Sequence, residues 1–107
     1  MTINIEASNG VCRARVAGEM TIYHAAGMKW ELLPCLDHGT ELEIDLSEVS
    51  EMDTAGFQLL LLIKREAAHA GKLLRLVAHS PATLEVLDLF NMASHFGDPV
   101  MMPRAAQ

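Results

Sequence analysis

Two neighbouring residues, Asp53 and Thr54, are the side chains in this sequence most suited to chemistry. They stand between an extended segment and a helix that is predicted to begin at Thr54. The first amides of a helix lack partners within the helix and carry partial positive charge. Such a position accepts a capping oxygen, and it also accepts a phosphate. The pair is therefore open to two interpretations.

In the structural interpretation, Thr54 or Asp53 only caps the helix, and Gly56 is small because it packs against a sheet. In the functional interpretation, Thr54 is a phosphoacceptor and Asp53 is the neighbour that holds and modulates the switch. A phosphoryl group there would add a charge of about −1.5 to −2 at neutral pH, beside Asp53 and Glu51. Repulsion from these acids, together with the added bulk, would alter any partner surface around the helix start.

Other constellations that could support chemistry are missing from the sequence. The five histidines are His24, His38, His69, His79 and His95. None of them forms an HxxxH or HxH pair, and neither cysteine lies at ligand spacing to a histidine, so we predict no metal site. There is no glycine-rich phosphate loop and no catalytic serine or cysteine set, so we predict no cofactor and no enzymatic activity. Cys12 and Cys35 lack CxxC spacing and are predicted to be two buried thiols of a protein in a reducing cytoplasm.

Composition narrows the classes of partner. The chain has 107 residues, enough for one domain, and 50% of them are apolar, enough for a core. The net charge of −6 argues against binding to nucleic acid or to an anionic membrane surface. The first residues contain no apolar run typical of a signal peptide, and the longest apolar stretch, Leu59 to Ile63, is too short to span a bilayer. We therefore expect a cytoplasmic protein with no direct membrane insertion.

The elements that position Asp53 and Thr54 follow from periodicity. Asn9-Gly10 between two extended runs favours a type I′ turn, which predicts an antiparallel hairpin. The alternation from Glu41 to Leu46 predicts a strand with one buried face, followed by a loop over 47–53. A break at 18–20 is followed by a first helix from Ile22 to about Leu36, with Thr21 as a possible cap. A second helix runs from Thr54 to Ala70 and is stopped by Gly71, and a strand over 73–78 follows it. The last predicted elements are a third helix, capped by Ser80 and ending near Met92, and a possible edge strand around Val100 and Met101.

This order predicts an α/β fold. Strands 2, 3 and 4 are joined by helices, so they should be parallel with right-handed crossovers, and sequential addition places every crossover helix on one face. The sheet is then mixed but mostly parallel, with four to five strands and three or more helices packed mainly on one face. Arg13 and Arg15 would face the acids of strand 3 (Glu41, Glu43 and Asp45) across the open face. We expect a single domain over 1–103 and a frayed tail over 104–107.

The segment DLSEVSEMDTAGF, continued by a leucine run, a Gly-Lys-x-Leu strand and a Ser-Pro helix start, resembles STAS domains of the anti-sigma-factor-antagonist family over about 18–100. The resemblance implies a STAS fold and a partner anti-sigma factor that is also a kinase of the histidine-kinase-like ATPase fold. That kinase phosphorylates the hydroxyl after the Asp, and a PP2C-type phosphatase removes the phosphate. The unphosphorylated form binds the anti-sigma factor. Thr54 matches the acceptor position.

Two departures leave the pathway open. Many members of the family carry an Asp after the second strand, where this chain has Gly18-Glu19-Met20-Thr21, so the carboxylate is absent unless Glu19 substitutes. Thr in place of Ser also occurs in STAS proteins that are not sigma regulators. One such group binds the ATPase of a phospholipid-transport ABC complex, and another accompanies chemotaxis-type signalling proteins. A subunit of the transport complex is the alternative function.

A partner surface is predicted around the start of the second helix. Projection of that helix places Gly56, Leu60, Ile63 and Ala67 on the core side, with Leu61 and Leu62 flanking the polar side. The excess leucines are either covered by the neighbouring helices or exposed as a docking patch. The predicted partner-binding residues are Met20, Thr21, Met52, Phe57, Gln58 and Leu61.

Overall fold

The computed structural model describes residues 2–89, and these begin with the predicted hairpin. Strands β1 (Thr2–Ser8) and β2 (Val11–Met20) pair antiparallel, with Ser8 opposite Val11. Asn9 and Gly10 form the two-residue turn, and both have positive φ, at 54° and 80°. A type I′ turn requires this backbone at both central positions, so the prediction from Asn-Gly is confirmed.

The remaining elements alternate between helix and strand. They are α1 (Ile22–Leu32), a short 3₁₀ helix (Leu33–Asp37), β3 (Glu41–Met52), α2 (Thr54–His69), β4 (Leu73–His79) and α3 (Pro81–Leu89). The sheet order is β1-β2-β3-β4, and β2, β3 and β4 are parallel, as predicted. The predicted end of the third helix near Met92, the edge strand at Val100 and Met101, and the tail over 104–107 lie outside the described residues.

One face of the sheet carries the core. On β3 the side chains of Leu42, Ile44 and Leu46 are buried, and alternate residues of β2 and β4 join them in one cluster with the helices. The predicted core side of α2 is confirmed, since all four of its residues are buried. Ser80 caps α3 as predicted, because its hydroxyl oxygen accepts a hydrogen bond from the amide of Thr83 at 3.1 Å.

The opposite face of the sheet carries paired charges. Arg13 Nε lies 3.0 Å from Glu43 Oε1, and Arg15 Nε lies 3.6 Å from Asp45 Oδ2, so both predicted arginines face acids of β3. Arg75 on β4 adds a third cation, 3.4 Å from Glu41. Pairs this exposed contribute little to stability, about 1 kcal/mol at most for each pair.

Three predicted boundaries were wrong. β2 does not break at Gly18 but continues to Met20, and residues 47–52 are not a loop but the second half of β3. These two stretches pair with each other in the parallel ladder, which contains two irregularities in register. Local sequence patterns do not reveal this pairing, because it joins segments that are distant in the chain. The first helix ends at Leu32 rather than Leu36, because Pro34 has no amide to continue the α-helical pattern and the chain tightens into a 3₁₀ turn.

Candidate partner-binding site at the start of helix α2

The ends of β2 and β3 bring the candidate residues together. Met20 and Met52 are opposite each other in the parallel ladder, and each is followed by one residue and then a helix. The starts of α1 and α2 therefore lie next to each other at the carboxyl ends of these two strands. This places Asp53 and Thr54 beside the first residues of α1.

Asp53 caps both helices. Its Oδ1 accepts a hydrogen bond from the amide of Gly56 at 3.1 Å, within α2, and its Oδ2 accepts one from the amide of Ile22 at 3.0 Å, at the start of α1. Thr21 occupies the N-cap position of α1, but its side chain makes no capping hydrogen bond. Thr21 therefore stands at the predicted cap position without capping through its side chain, and the carboxylate acceptor at the start of α1 is Asp53.

The two helix amides stabilise the charged form of Asp53. The hydrogen bond from Ile22 lowers the pKa of the carboxyl below its usual value, and the bond from Gly56 acts in the same direction. The carboxylate is thus ionised at neutral pH and held between two positive helix ends.

Thr54 is left available by this arrangement. Because Asp53 performs the capping, the hydroxyl of Thr54 is not needed at the helix start, and within residues 2–89 it has no hydrogen-bond partner. The side chain is exposed at the first position of α2. The cap of α2 is therefore Asp53, and the hydroxyl of Thr54 is exposed at the N-terminus of the helix.

Gly56 sets how closely α2 approaches the sheet. A Cβ atom at this position would overlap the carbonyl oxygen of Met20. The same oxygen accepts a hydrogen bond from the amide of Asp53 at 3.4 Å. The interpretation that Gly56 is small for packing is confirmed, and the close approach holds the first turn of α2 against the end of β2.

The predicted partner-binding residues are not equally accessible. Gln58 is exposed one turn after Thr54, whereas Thr21, Met52 and Leu61 are half-buried. Met20 is 0% exposed and Phe57 is 6% exposed. Both side chains point into the core and support the surface from below, so neither is exposed for direct contact in this structure. Leu61 and Leu62 pack against the core, so the leucine run is largely covered.

A second exposed surface lies on α1 and was missed in the sequence. Ile22 is 67% exposed, Tyr23 is 88% exposed and Trp30 is 72% exposed. The buried residues of α1, Met28 and Leu32, face the other way. The available signal was that these large side chains fall outside the stripe of Ala25, Met28 and Leu32, which recur at helical spacing.

Other reactive side chains lie away from this site. Cys12 and Cys35 are buried free thiols, and burial, reinforced by the neighbouring Cys12, raises the pKa of Cys35 to about 12. Within residues 2–89, no three His, Cys, Asp or Glu side chains are grouped so that they could hold a metal ion. No helix in the same range is long and apolar enough to span a membrane.

Comparisons with known proteins agree with this architecture. The anti-sigma-B factor antagonist of Bacillus subtilis (strain 168) is 24% identical over 89 residues, which are 83% of this chain and 82% of that protein. The crystal structure of an anti-sigma factor antagonist from Mycobacterium paratuberculosis superimposes with a TM-score of 0.81 at 24% identity, over 94% of this chain and 86% of that one. The Bacillus cell fate determinant SpoIIAA in its phosphorylated form gives a TM-score of 0.71 at 18% identity, over 98% of this chain and 96% of that one.

A family model provides the assignment. The model described as "Mlab, STAS domain" matches residues 3–101, nearly the whole chain. The sheet order and the Asp-Thr start of α2 agree with the STAS fold that the sequence resemblance implied. The chain belongs to the STAS domain family.

Proposed function

We propose that this protein is a phosphorylation-controlled interaction module, with Thr54 as the phosphoacceptor and Asp53 as its positioning neighbour. The observation that carries the proposal is that Asp53 caps α2, which leaves the exposed Thr54 hydroxyl free for modification. The partner is an anti-sigma factor with kinase activity, of the histidine-kinase-like ATPase fold, and a PP2C-type phosphatase reverses the modification. The likeness to anti-sigma factor antagonists supports this choice of partner.

Phosphorylation of Thr54 would change partner binding through electrostatic repulsion. A phosphoryl group on Thr54 would stand beside the ionised carboxylate of Asp53, with the exposed Glu51 close by in the chain. The added charge of about −1.5 to −2 would meet repulsion from these acids as well as attraction from the helix start. A partner shaped to cover a neutral Thr54 would have to bury this charge, so the phosphorylated form binds more weakly.

The test compares two variants in affinity capture from the native cell. Thr54→Glu places a negative charge at the helix start, a position that tolerates one structurally, so it should fold normally but lose the partner. Thr54→Val removes the hydroxyl without adding charge, so it should retain the partner and carry no phosphate by mass spectrometry. Equal capture by wild type and Thr54→Glu would reject the switch.

A second candidate uses the same surface. The matching family model bears the description Mlab rather than that of an antagonist, so we retain the alternative of an accessory subunit that binds the ATPase of a phospholipid-transport ABC complex. Thr54 would then be a contact residue without a stable phosphate. Capture of an ABC ATPase together with permease subunits, and no phosphate on Thr54, would favour this candidate.

A further inference from the structure

Within residues 2–89, an exposed apolar surface runs along α1 from the candidate site. Its large members are Ile22, Tyr23 and Trp30, and between them lie Ala26 and Gly27, all of them exposed. These positions follow helical spacing (22, 26 and 30; 23, 27 and 30), so they form one stripe about 12 Å long. We call these five residues the α1 stripe. Tyr23 and Trp30 are the only tyrosine and the only tryptophan in the chain.

Nothing in the described structure requires a glycine at position 27. A Cβ atom there would meet nothing within 4 Å, and Gly27 is not among the residues with positive φ. Glycine inside an exposed helix lowers helix stability. Together with Ala26 it leaves little side-chain bulk between Tyr23 and Trp30 along the helix, which would let another backbone approach closely.

The stripe starts beside the Thr54 surface. It begins at Ile22, whose amide is bonded to Asp53, the residue immediately before Thr54. α1 and α2 also pack against each other, and they run in the same direction because both cross over between parallel strands. A protein that covers Thr54 and Gln58 would therefore lie beside the start of the α1 stripe.

From these observations we infer that the α1 stripe is the docking surface for an apolar helix of the same partner that covers Thr54, an inference that rests on the proposed function. The partner helix lies over Ala26 and Gly27, and Tyr23 and Trp30 pack on either side of it. Exposed aromatic residues are enriched where protein interfaces have their strongest contacts. The α1 stripe then contributes most of the affinity for the partner, and phosphorylation of Thr54 controls whether the partner binds.

The first experiment is photo-crosslinking in the native cell, with p-benzoylphenylalanine at one position at a time. Positions 30 and 58 sample the α1 stripe and the α2 surface. Position 73 is the control, because Leu73 is exposed on β4, away from both helix starts. Crosslinks from 30 and 58 to the same protein, absent from 73, are the expected result. A crosslink from 58 alone overturns the α1 inference and leaves the Thr54 surface standing. A crosslink from 30 alone rejects the Thr54 surface, and crosslinks from neither reject both.

The occupant is tested separately. If position 30 crosslinks only to a second copy of this chain, the stripe is a homodimer surface and the inference of a partner helix is wrong. If it crosslinks to the partner, peptide mapping should place the bond in a helical segment with an apolar face.

The second experiment measures affinity with the crosslinked partner in purified form. Trp30→Ser and Gly27→Gln should each weaken binding at least ten-fold, the first by removing an aromatic contact and the second by filling the gap. Gln is a better helix former than Gly, so Gly27→Gln should melt no lower than wild type and its loss of binding cannot come from unfolding. Binding within two-fold of wild type for both variants would overturn the inference, whatever the result for Thr54→Glu.

Discussion

The carboxylate of Asp53 accepts a hydrogen bond from the amide of Ile22 at 3.0 Å, although the two residues are 31 positions apart in the chain. Its other oxygen holds the amide of Gly56 in α2. One side chain thus ties together the starts of two helices, beside the hydroxyl proposed as the phosphoacceptor. Whatever disturbs Asp53 is therefore expected to affect both helices.

Replacement of Asp53 by alanine should lower the melting temperature more than loss of an ordinary helix cap, because amides in two helices lose their acceptor. Thermal unfolding followed by circular dichroism measures this effect. Asp53→Asn is the matched control: its single carbonyl oxygen can replace one acceptor but not both, so it should fall between wild type and alanine. Equal stability of all three proteins would contradict the double cap.

Acid should destabilise the protein through the same residue. The pKa of Asp53 is lowered in the folded state, so its contribution to stability is present above the unfolded value of about 3.9 and is lost as pH falls through the lower folded value. Urea unfolding at a series of pH values from 6 down to about 3 should show this loss. Asp53→Asn should show a shallower decline over that range, and an identical decline would assign the acid sensitivity to other carboxylates.

Two glycines should respond to alanine in opposite ways. Gly56→Ala should lower the free energy of unfolding by about 1–3 kcal/mol, because the new methyl group would overlap the carbonyl oxygen of Met20. Gly27→Ala should raise it by about 0.5–1 kcal/mol, because the added methyl group meets no neighbour and the helix gains propensity. Chemical denaturation measures both changes, and a stabilising Gly56→Ala would disprove the close approach of α2 to β2.

Leu61 should matter for folding rather than only for binding. It is half-buried against the core, so Leu61→Asp should cost about 1–2 kcal/mol of unfolding free energy through lost burial. Gln58→Asp, on the exposed side of the same helix, should change stability by less than about 0.5 kcal/mol. A Leu61→Asp protein as stable as wild type would instead make Leu61 part of the exposed surface.

Several features could be predicted from the sequence because they depend on near neighbours. The Asn9-Gly10 turn, the Ser80 cap and the one-sided burial of β3 follow from local conformational preference and from side-chain alternation. The sheet order also followed, since strands joined by crossover helices have few ways to pair.

The rest was decided by contacts between distant segments. The second half of β3 is a strand only because the end of β2 lies beside it to accept the ladder, and residues 47–52 carry no strand pattern of their own. Likewise, the sequence identified Asp53 and Thr54 as a candidate pair but could not say which of them was the cap. The tertiary structure decided this, because the register of β2 against β3 sets the distance between the two helix starts and places Ile22 within reach of Asp53.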